Sequence, residues 1–387
     1  MAFVFQCPEK IIFGCGVASE VGEEARRWGE RVLLVVGKGS ARRTGALDQV
    51  VEALVQSGLT VSIFEGVESD PSTDTVHRGA DLAREFQAQV VVALGGGSVI
   101  DAAKAIALLA TNPGRCSDYE RKAPVNSVLP LIAIPTTAGT GSEVTRFSVI
   151  SDLDRKVKMV LGGSYLIPKI ALLDPLLTVS MPHEVTAATG MDALTHAIEA
   201  YLSTRAQPDT DLLALSAVEL IAANLTQAVY NPQDVEARSA MLLGQYRAGL
   251  AFSNASVALV HSMSRPLGVY FGVLHGLANA LLLPHVMAYN RPACPERFAV
   301  LAHALGEETV GLSIREASLK AVQAVRNLVL DIGIPRSLQQ VGVKEESFEI
   351  MAKDALEAQS TQFNPRRPQM DDVITLYWEA YQGLKGN

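Results

Sequence analysis

The spacing of apolar residues predicts alternating strands and helices in the first half of the chain. Short runs rich in Val, Ile and Leu predict strands, and the segments between them place apolar residues at helical intervals. The predicted strands cover residues 32–36, 60–64, 90–94 and 131–135. The predicted helices cover residues 46–57, 74–86 and 99–110. Apolar strands separated by helices are typical of a parallel sheet that is covered on both faces.

From about Ser180 the pattern changes to one of helices alone. Strand-like runs disappear, and Ser180, Pro182 and Glu184 together are typical of a helix N-terminus. Helical spacing then extends over residues 192–203, 210–229, 235–253, 255–263, 275–289, 296–305, 314–331 and 345–357. The sequence therefore predicts two domains, an α/β domain over residues 1–181 and an all-α domain over residues 182–387.

Residues 266–290 carry no formal charge and are long enough to raise the question of a membrane span. Two histidines, Asn279 and Pro284 interrupt the apolar run. We therefore predict a deeply buried helix here and no contact with a membrane. Polar side chains buried in such a helix need hydrogen-bond partners or a function.

The composition fits a well-packed soluble enzyme, because 48% of the residues are apolar and 19% are charged. A net charge of −8 argues against a nucleic-acid partner. The N-terminus lacks the pattern of a signal peptide. The four cysteines form no CxxC pair, so we predict a cytoplasmic protein whose metal site, if any, uses ligands other than thiolates. They are Cys7, Cys15, Cys116 and Cys294.

Two segments at the ends of predicted strands have the residues of a phosphate-binding loop. The first lies between a strand and a helix, where glycines let phosphate oxygens approach backbone N–H groups. It consists of Gly95, Gly96, Gly97 and Ser98. The second, AIPTTAGTGSEVT, offers hydroxyl groups and small residues, namely Thr136, Thr137, Thr140 and Ser142 with Gly139 and Gly141. Each could be only a tight turn or an ordinary loop, but two of them at neighbouring strand ends favour a phosphate–sugar ligand.

Three histidines lie in the apolar helical segments of the second half: His196, His261 and His275. Asp192 precedes His196 by four residues, which places both side chains on one helix face. One such histidine would more often be a hydrogen-bonded core residue than a ligand. Three imidazoles and one carboxylate, however, form a ligand set that suits Fe(II) or Zn(II) and leaves a coordination position for a substrate.

Five strings of this sequence resemble the iron-containing (group III) alcohol dehydrogenases, and in this order they span essentially the whole chain. They are GGGSVIDAAKA, IPTTAGTGSEVT, TGMDALTHAIEAY, AGLAFSN and HGLANALLLPHVMAYN. The resemblance implies an N-terminal dinucleotide-binding (Rossmann-like) α/β domain, an all-α C-terminal metal-binding domain and a cleft between them. It also implies a homodimer or a larger homo-oligomer. The metal ligands that it implies are Asp192, His196, His261 and His275.

The resemblance further implies which residues line the cofactor and substrate sites. Those at the nicotinamide cofactor would be Gly96, Gly97, Asp101, Thr136, Thr137 and Thr140, with Lys158 nearby. Phe147 and Phe252 are the residues expected to form the wall of the substrate pocket.

The sequence departs from the family pattern at Arg265. Many members carry HxMxH, whose second histidine is thought to relay a proton, whereas this chain reads HSMSRP. Arginine stays protonated and cannot act as a general base. Proton release could instead use water, the ribose hydroxyl or another group. Arg265 itself could orient an anionic substrate or bridge two helices.

The segment VVGKGSARRTG follows the first predicted strand, where a dinucleotide fold contacts the adenine ribose. NAD-preferring relatives tend to carry Asp at the position of Lys38. A 2′-phosphate would meet two glycines, a hydroxyl and three cations here: Gly37, Gly39, Ser40, Lys38, Arg42 and Arg43. The alternative is a solvated loop and default use of NAD(H). We predict that NADP(H) is favoured and that NAD(H) is also used.

Together these features predict a metal-dependent NAD(P) alcohol dehydrogenase that also reduces aldehydes, with short to medium primary alcohols as small-molecule substrates. A dehydroquinate-synthase-like or other polyol or phosphate enzyme on the same fold is the nearest alternative. It would need clustered Lys, Arg and His, whereas the segments around His261 and His275 are mostly apolar. A second alternative is a non-catalytic protein with a structural metal, whose loss would unfold the chain.

Overall fold

The computed structural model describes residues 2–120, 122–155 and 157–384. The chain forms two compact units. One unit is Gln6–Ser180, and the other takes in the chain from Met181 onward together with a short N-terminal piece. The first unit contains all the strands that the structure describes, and the second is helical.

The first unit is built on a parallel six-stranded sheet in the order β1-β8-β5-β4-β2-β3. A separate antiparallel hairpin is formed by β6 and β7. The strands are β1 (Lys10–Phe13), β2 (Arg31–Gly37), β3 (Thr60–Val67), β4 (Val90–Gly95), β5 (Leu131–Pro135), β6 (Phe147–Asp152), β7 (Val157–Gly162) and β8 (Ile170–Leu173). The helices of this unit are α1 (Val21–Arg26), α2 (Ser40–Arg43), α3 (Ala46–Gln56), α4 (Thr73–Glu85) and α5 (Gly97–Thr111).

The central strands are buried on both faces because their alternate residues enter different cores. On β2, Leu33 and Val35 pack in the same cluster as Ile100 and Ile106 of α5. Leu34, between them, packs in the opposite cluster, which also contains the apolar face of α3. This explains why β2, β4 and β5 read as continuous apolar runs in the sequence.

The strand order reverses between β2 and β4. From β2 the chain passes to β3 on one side, and it then returns to β4 on the other side of β2. In open parallel sheets, ligands bind beyond the carboxyl ends of the strands at such a reversal. The glycine-containing turns after β2 and β4 both lie at this edge.

The second unit consists of helices. They are α6 (His183–Leu202), α7 (Pro208–Tyr230), α8 (Val235–Ala255), α9 (Leu259–Phe271), α10 (His275–Asn290), α11 (Pro295–Ala304), α12 (Ile314–Asp331), α13 (Phe348–Glu357) and α14 (Met370–Gln382). By length and composition α7 could cross a membrane, but apolar core helices of soluble proteins pass the same test.

The prediction of one continuous buried helix over residues 266–290 is wrong, whereas the predicted helix over residues 275–289 coincides with α10 and is confirmed. The chain turns at Gly272, whose φ of 66° is in the left-handed region, and this turn separates α9 from α10. Tyr270 and Leu274 are exposed beside the turn. The predicted helix over residues 255–263 is also displaced, because Ser256 has a φ of 72° and interrupts the helical path between α8 and α9.

Candidate active site

One face of α6 carries three buried ionisable side chains. Asp192, His196 and Glu199 follow one another at intervals of four and three residues, which brings them onto one side of the helix. All three are at least 94% buried. So much potential charge inside a helical core requires partners from other helices.

Two further histidines reach this face from α9 and α10. The Nε2 atoms of His261 and His275 each lie 3.7 Å from Oδ1 of Asp192, and the Nε2 atom of His196 lies 4.0 Å from it. Asp192, His261 and His275 offer ligand atoms that all lie within 4.8 Å of one another. The ring of His196 stacks between those of Phe252 and His261, at centroid distances of 4.2 and 4.5 Å. Because the side chain of His275 is 41% exposed, the cluster is open on that side.

The charges of this cluster depend on one another. Burial would raise the pKa of Asp192, but the nearby imidazoles of His196, His275 and His261 hold it well below its ordinary value. Burial would lower the pKa of His261, but its contacts with Asp192 and Glu199 raise it. These neighbours thus favour the ionised form of Asp192, which is the form that binds a cation.

Asn279, on α10, fills the space between the ligand atoms. Its Nδ2 atom lies 2.7 Å from Oδ1 of Asp192, 3.2 Å from Nε2 of His261 and 3.3 Å from Nε2 of His275. A carboxylate accepts hydrogen bonds only, so this amide nitrogen is the donor. The carboxylate oxygen and the two ring nitrogens thus surround one amide nitrogen, which donates to Asp192. A carboxylate oxygen with neutral imidazoles, arranged in this way, fits a divalent transition metal.

Glu199, which the sequence pattern did not single out, contacts the ring of His261 and the backbone before and within α9. Its Oε2 atom lies 2.7 Å from Nδ1 of His261 and accepts the backbone N–H of Ala258 at 2.9 Å. Its Oε1 atom accepts the N–H of Val260 at 2.5 Å. The sequence signal was present, because an acidic residue three positions after His196 lies on the same apolar helix face.

The two glycine- and threonine-containing loops meet at the ends of β4 and β5. A Cβ atom on Gly96 would lie 3.3 Å from the side chain of Thr137, and one on Gly97 would lie 2.6 Å from that of Thr140. The backbone N–H of Thr136 bonds to the carbonyl of Gly95 at 3.0 Å. This close approach requires glycine at position 97, and it brings both predicted segments to the N-terminus of α5.

Asp101 and Lys158 have partners within the first unit. The carboxylate of Asp101 accepts bonds from the hydroxyl of Ser142 and the backbone N–H of Val149. Asp101 therefore fixes α5 to the threonine-containing loop. Lys158 donates to Asp70 at 2.8 Å, and the N–H of Asp70 bonds to Oγ of Ser98. Lys158 is thus linked to the glycine-containing turn through Asp70.

The segment after β2 carries two of the predicted cations, Lys38 and Arg42, and they have different surroundings. Lys38 lines a cavity of about 720 Å³, together with Glu68, Asp74 and Arg78. Arg42 pairs with Glu65 at 2.8 Å and is to that extent neutralised. Of these two predicted cations, Lys38 is the one that faces the cavity.

Phe252 contacts the ligand cluster, whereas Phe147 belongs to the other unit at the start of β6. Arg265 lies on α9, one turn beyond His261, and is partly buried. Burial lowers the pKa of its guanidinium, and the carboxylate of Glu199 partly offsets this effect. Within residues 2–120, 122–155 and 157–384, Arg265 has no hydrogen bond and no ion pair closer than 4 Å.

Comparison with known proteins identifies the family. Residues 8–175 match the iron-containing alcohol dehydrogenases, and residues 186–381 match the C-terminal part of the Fe-containing alcohol dehydrogenase family. The chain belongs to the iron-containing alcohol dehydrogenase family. This confirms the predicted family and the predicted fold class. The function of this alcohol dehydrogenase is hydride transfer between a nicotinamide cofactor and an alcohol or aldehyde, as predicted, and the family implies a metal.

Several relatives are similar along their full length. The NAD-dependent methanol dehydrogenase of Bacillus methanolicus is 42% identical over 97% of this chain and 99% of that protein. A crystal structure of 1,3-propanediol oxidoreductase superposes with a TM-score of 0.96, at 41% identity over 98% of this chain and 100% of the other. Sulfoacetaldehyde reductase from Bifidobacterium kashiwanohense, in complex with NAD+, gives a TM-score of 0.89 at 31% identity, covering 98% of each chain.

Proposed function

We propose that this alcohol dehydrogenase oxidises short to medium primary alcohols and reduces the corresponding aldehydes, with Fe(II) or alternatively Zn(II) as its metal. The observation that carries this proposal is the buried cluster in which Asp192, His261 and His275 offer ligand atoms within 4.8 Å of one another. His196 would complete the ligand set, since its Nε2 atom lies 4.0 Å from Oδ1 of Asp192.

Held by Asp192, His196, His261 and His275, a metal would supply Lewis acidity toward the substrate oxygen, and a bound nicotinamide would supply or take up the hydride. The protein's own residues would position the reactants and exclude water. The ring of Phe252, stacked on His196, gives the cluster one apolar wall. His275 lies on the accessible side, where a substrate oxygen could enter.

For the cofactor, we propose a site at the carboxyl ends of β2, β4 and β5. The supporting observations are the reversal of strand order between β2 and β4 and the contact of Gly97 with Thr140. We propose that Lys38 favours NADP(H) and that NAD(H) is also accepted. The pairing of Arg42 with Glu65 leaves this preference resting mainly on Lys38.

We also propose a cytoplasmic homodimer or larger homo-oligomer. Light scattering of the purified protein tests the oligomeric state, since a monomer at micromolar concentration would contradict it.

The experiment for the proposed function is metal analysis of the purified protein, followed by an alcohol and aldehyde screen with both NADH and NADPH. We expect about one iron or zinc per chain and turnover of simple primary alcohols. A preference for sugar phosphates or polyols would support the synthase-like alternative and contradict the proposal. Full turnover by protein without metal would contradict the assigned role of the cluster.

A further inference from the structure

The carboxylate of Glu199 links a ligand histidine to the helix that carries it. Its two oxygens receive the backbone N–H groups of Ala258, Val260 and His261 at 2.9, 2.5 and 3.4 Å, which are donors at the first turn of α9. The same carboxylate lies 2.7 Å from Nδ1 of the His261 ring. Only 3% of Glu199 is exposed.

These contacts determine which ring nitrogen can bind a cation. Because a carboxylate only accepts hydrogen bonds, Nδ1 of His261 must carry a proton. When the ring is neutral, its lone pair is therefore on Nε2, which faces Asp192 and Asn279. The donor orientation of the Asn279 amide agrees with this assignment, because it offers an N–H to Nε2.

The backbone before α9 shows why such a restraint is needed. Ser256 has φ 72° and ψ 156°, a conformation that is costly for a residue with a side chain. The helix begins three residues later, and Ala258 before it offers no side-chain cap. The buried carboxylate, an anion at the N-terminus of a helix, stabilises this otherwise unfavourable turn.

We infer that Glu199 is a positioning residue, which fixes both the tautomer and the location of His261 so that Nε2 is presented to the metal. This inference rests on the proposed function, because it takes His261 to be a ligand. Carboxylates that accept from the distal nitrogen of a ligand histidine typically change metal affinity 10- to 100-fold when they are removed.

The test is Glu199→Gln, measured by titration of metal-free protein with Co(II) and by the visible spectrum of the Co(II) protein. We expect the dissociation constant to rise at least about tenfold and the spectrum to change, because the charge that orients His261 is lost. The matched control is Glu379→Gln. Glu379 also faces a histidine nitrogen, Nδ1 of His285 at 3.7 Å, but that pair is not part of the ligand cluster. The control should bind Co(II) as the wild type does.

A double-mutant cycle separates positioning from a general effect on the fold. In a His261→Ala background, Glu199→Gln should change the Co(II) dissociation constant less than twofold. The imidazole through which Glu199 acts on the metal is absent in that background. An equal effect in both backgrounds would overturn the inference, as would wild-type affinity and spectrum in Glu199→Gln. If that variant does not fold, Glu199→Asp replaces it, and unchanged binding there overturns the inference equally. A wild type that binds no Co(II), iron or zinc would contradict the proposed function itself.

Discussion

Arg265 stands where the family pattern described above predicts a second histidine. The alternative in which it bridges two helices finds no support, because the described residues offer it no hydrogen bond or ion pair. A partly buried guanidinium one turn from His261, a proposed metal ligand, is well suited to bind an anionic group of a substrate. It cannot accept a proton, so proton release must use another group.

We therefore expect Arg265→Gln to discriminate between substrates by charge. Catalytic efficiency for an aldehyde with a terminal carboxylate should fall about tenfold relative to an uncharged aldehyde of equal length, because a charged hydrogen bond contributes about 1.5–3 kcal/mol. Steady-state kinetics with both aldehydes measures the ratio. Arg315→Gln, at an exposed position of the same unit, is the control. An unchanged ratio would show that Arg265 does not contact the substrate.

Lys38 is the residue of the loop after β2 on which the proposed preference for NADP(H) rests. Lys38→Asp should shift the enzyme toward NAD(H), because a carboxylate accepts from the ribose hydroxyls and repels a 2′-phosphate. We expect the ratio of efficiencies, NADPH over NADH, to fall at least about tenfold, as kinetics with the two cofactors would show. Arg42→Asp should have the smaller effect, since Arg42 is already paired with Glu65. If the wild type prefers NADH and Lys38→Asp changes nothing, the loop does not select the cofactor.

Individual strands were predictable where the run of consecutive apolar residues was long. The central strands have five or more consecutive apolar residues, and the structure has strands there. Four strands were not predicted: β1 and β8 have only four residues each, and polar residues interrupt the apolar pattern of β6 and β7. The break between α9 and α10 depends on a left-handed Gly272 within an apolar run, and the sequence did not distinguish it from an ordinary helical glycine.

Lys104 connects α5 to the start of the hairpin formed by β6 and β7. Its buried ammonium donates to the carbonyls of Thr145 and Phe147 at 2.9 and 2.6 Å. Burial lowers the pKa of Lys104 to about 8, although Asp101 and Glu143 act in the opposite direction. Lys104→Met should reduce the free energy of unfolding by about 3–5 kcal/mol, because it leaves buried acceptors and carboxylates without their cation. Urea denaturation, with the exposed Lys122→Met as control, measures this loss.

The same lysine has a pH-dependent effect. Between about pH 8 and its ordinary pKa near 10.5, the unfolded chain binds more protons at Lys104 than the folded chain does. The contribution of its ionisation to the free energy of unfolding therefore increases with pH over this window. The difference in stability between wild type and Lys104→Met should grow from pH 8 to pH 10. A difference that shrinks would contradict the lowered pKa.

For the whole molecule, the sequence predicted which side chains of the proposed metal site converge but not how they are held. Asp192 and His196 could be placed together because four residues advance a helix by about one turn. Their meeting with His261 and His275 depends on packing between helices, which residue spacing does not specify. For the same reason Glu199 was not singled out, and Asn279 was noted only as a polar residue within an apolar run, since their contacts exist only once α6, α9 and α10 pack together.

Removal of the metal distinguishes a catalytic metal from one that the fold requires. We expect chelation to abolish turnover while the protein stays folded at 25 °C, with a Tm lower by a few degrees, because a metal of moderate affinity adds only about 3 kcal/mol to the free energy of unfolding. Circular dichroism and thermal denaturation check the fold, and readdition of Fe(II) should restore activity. Unfolding on chelation at 25 °C would instead support the alternative of a structural metal.

The proposed metal ligands all come from residues 192–275, and the proposed cofactor residues all come from residues 37–158, on opposite sides of the boundary at Ser180. On these proposals, metal specificity and coenzyme specificity depend on separate stretches of the chain. Recombination near that boundary could join the nucleotide half of one relative to the metal half of another without dividing either site. Laboratory evolution could likewise change the coenzyme by mutating only the first stretch while the choice of metal stays fixed.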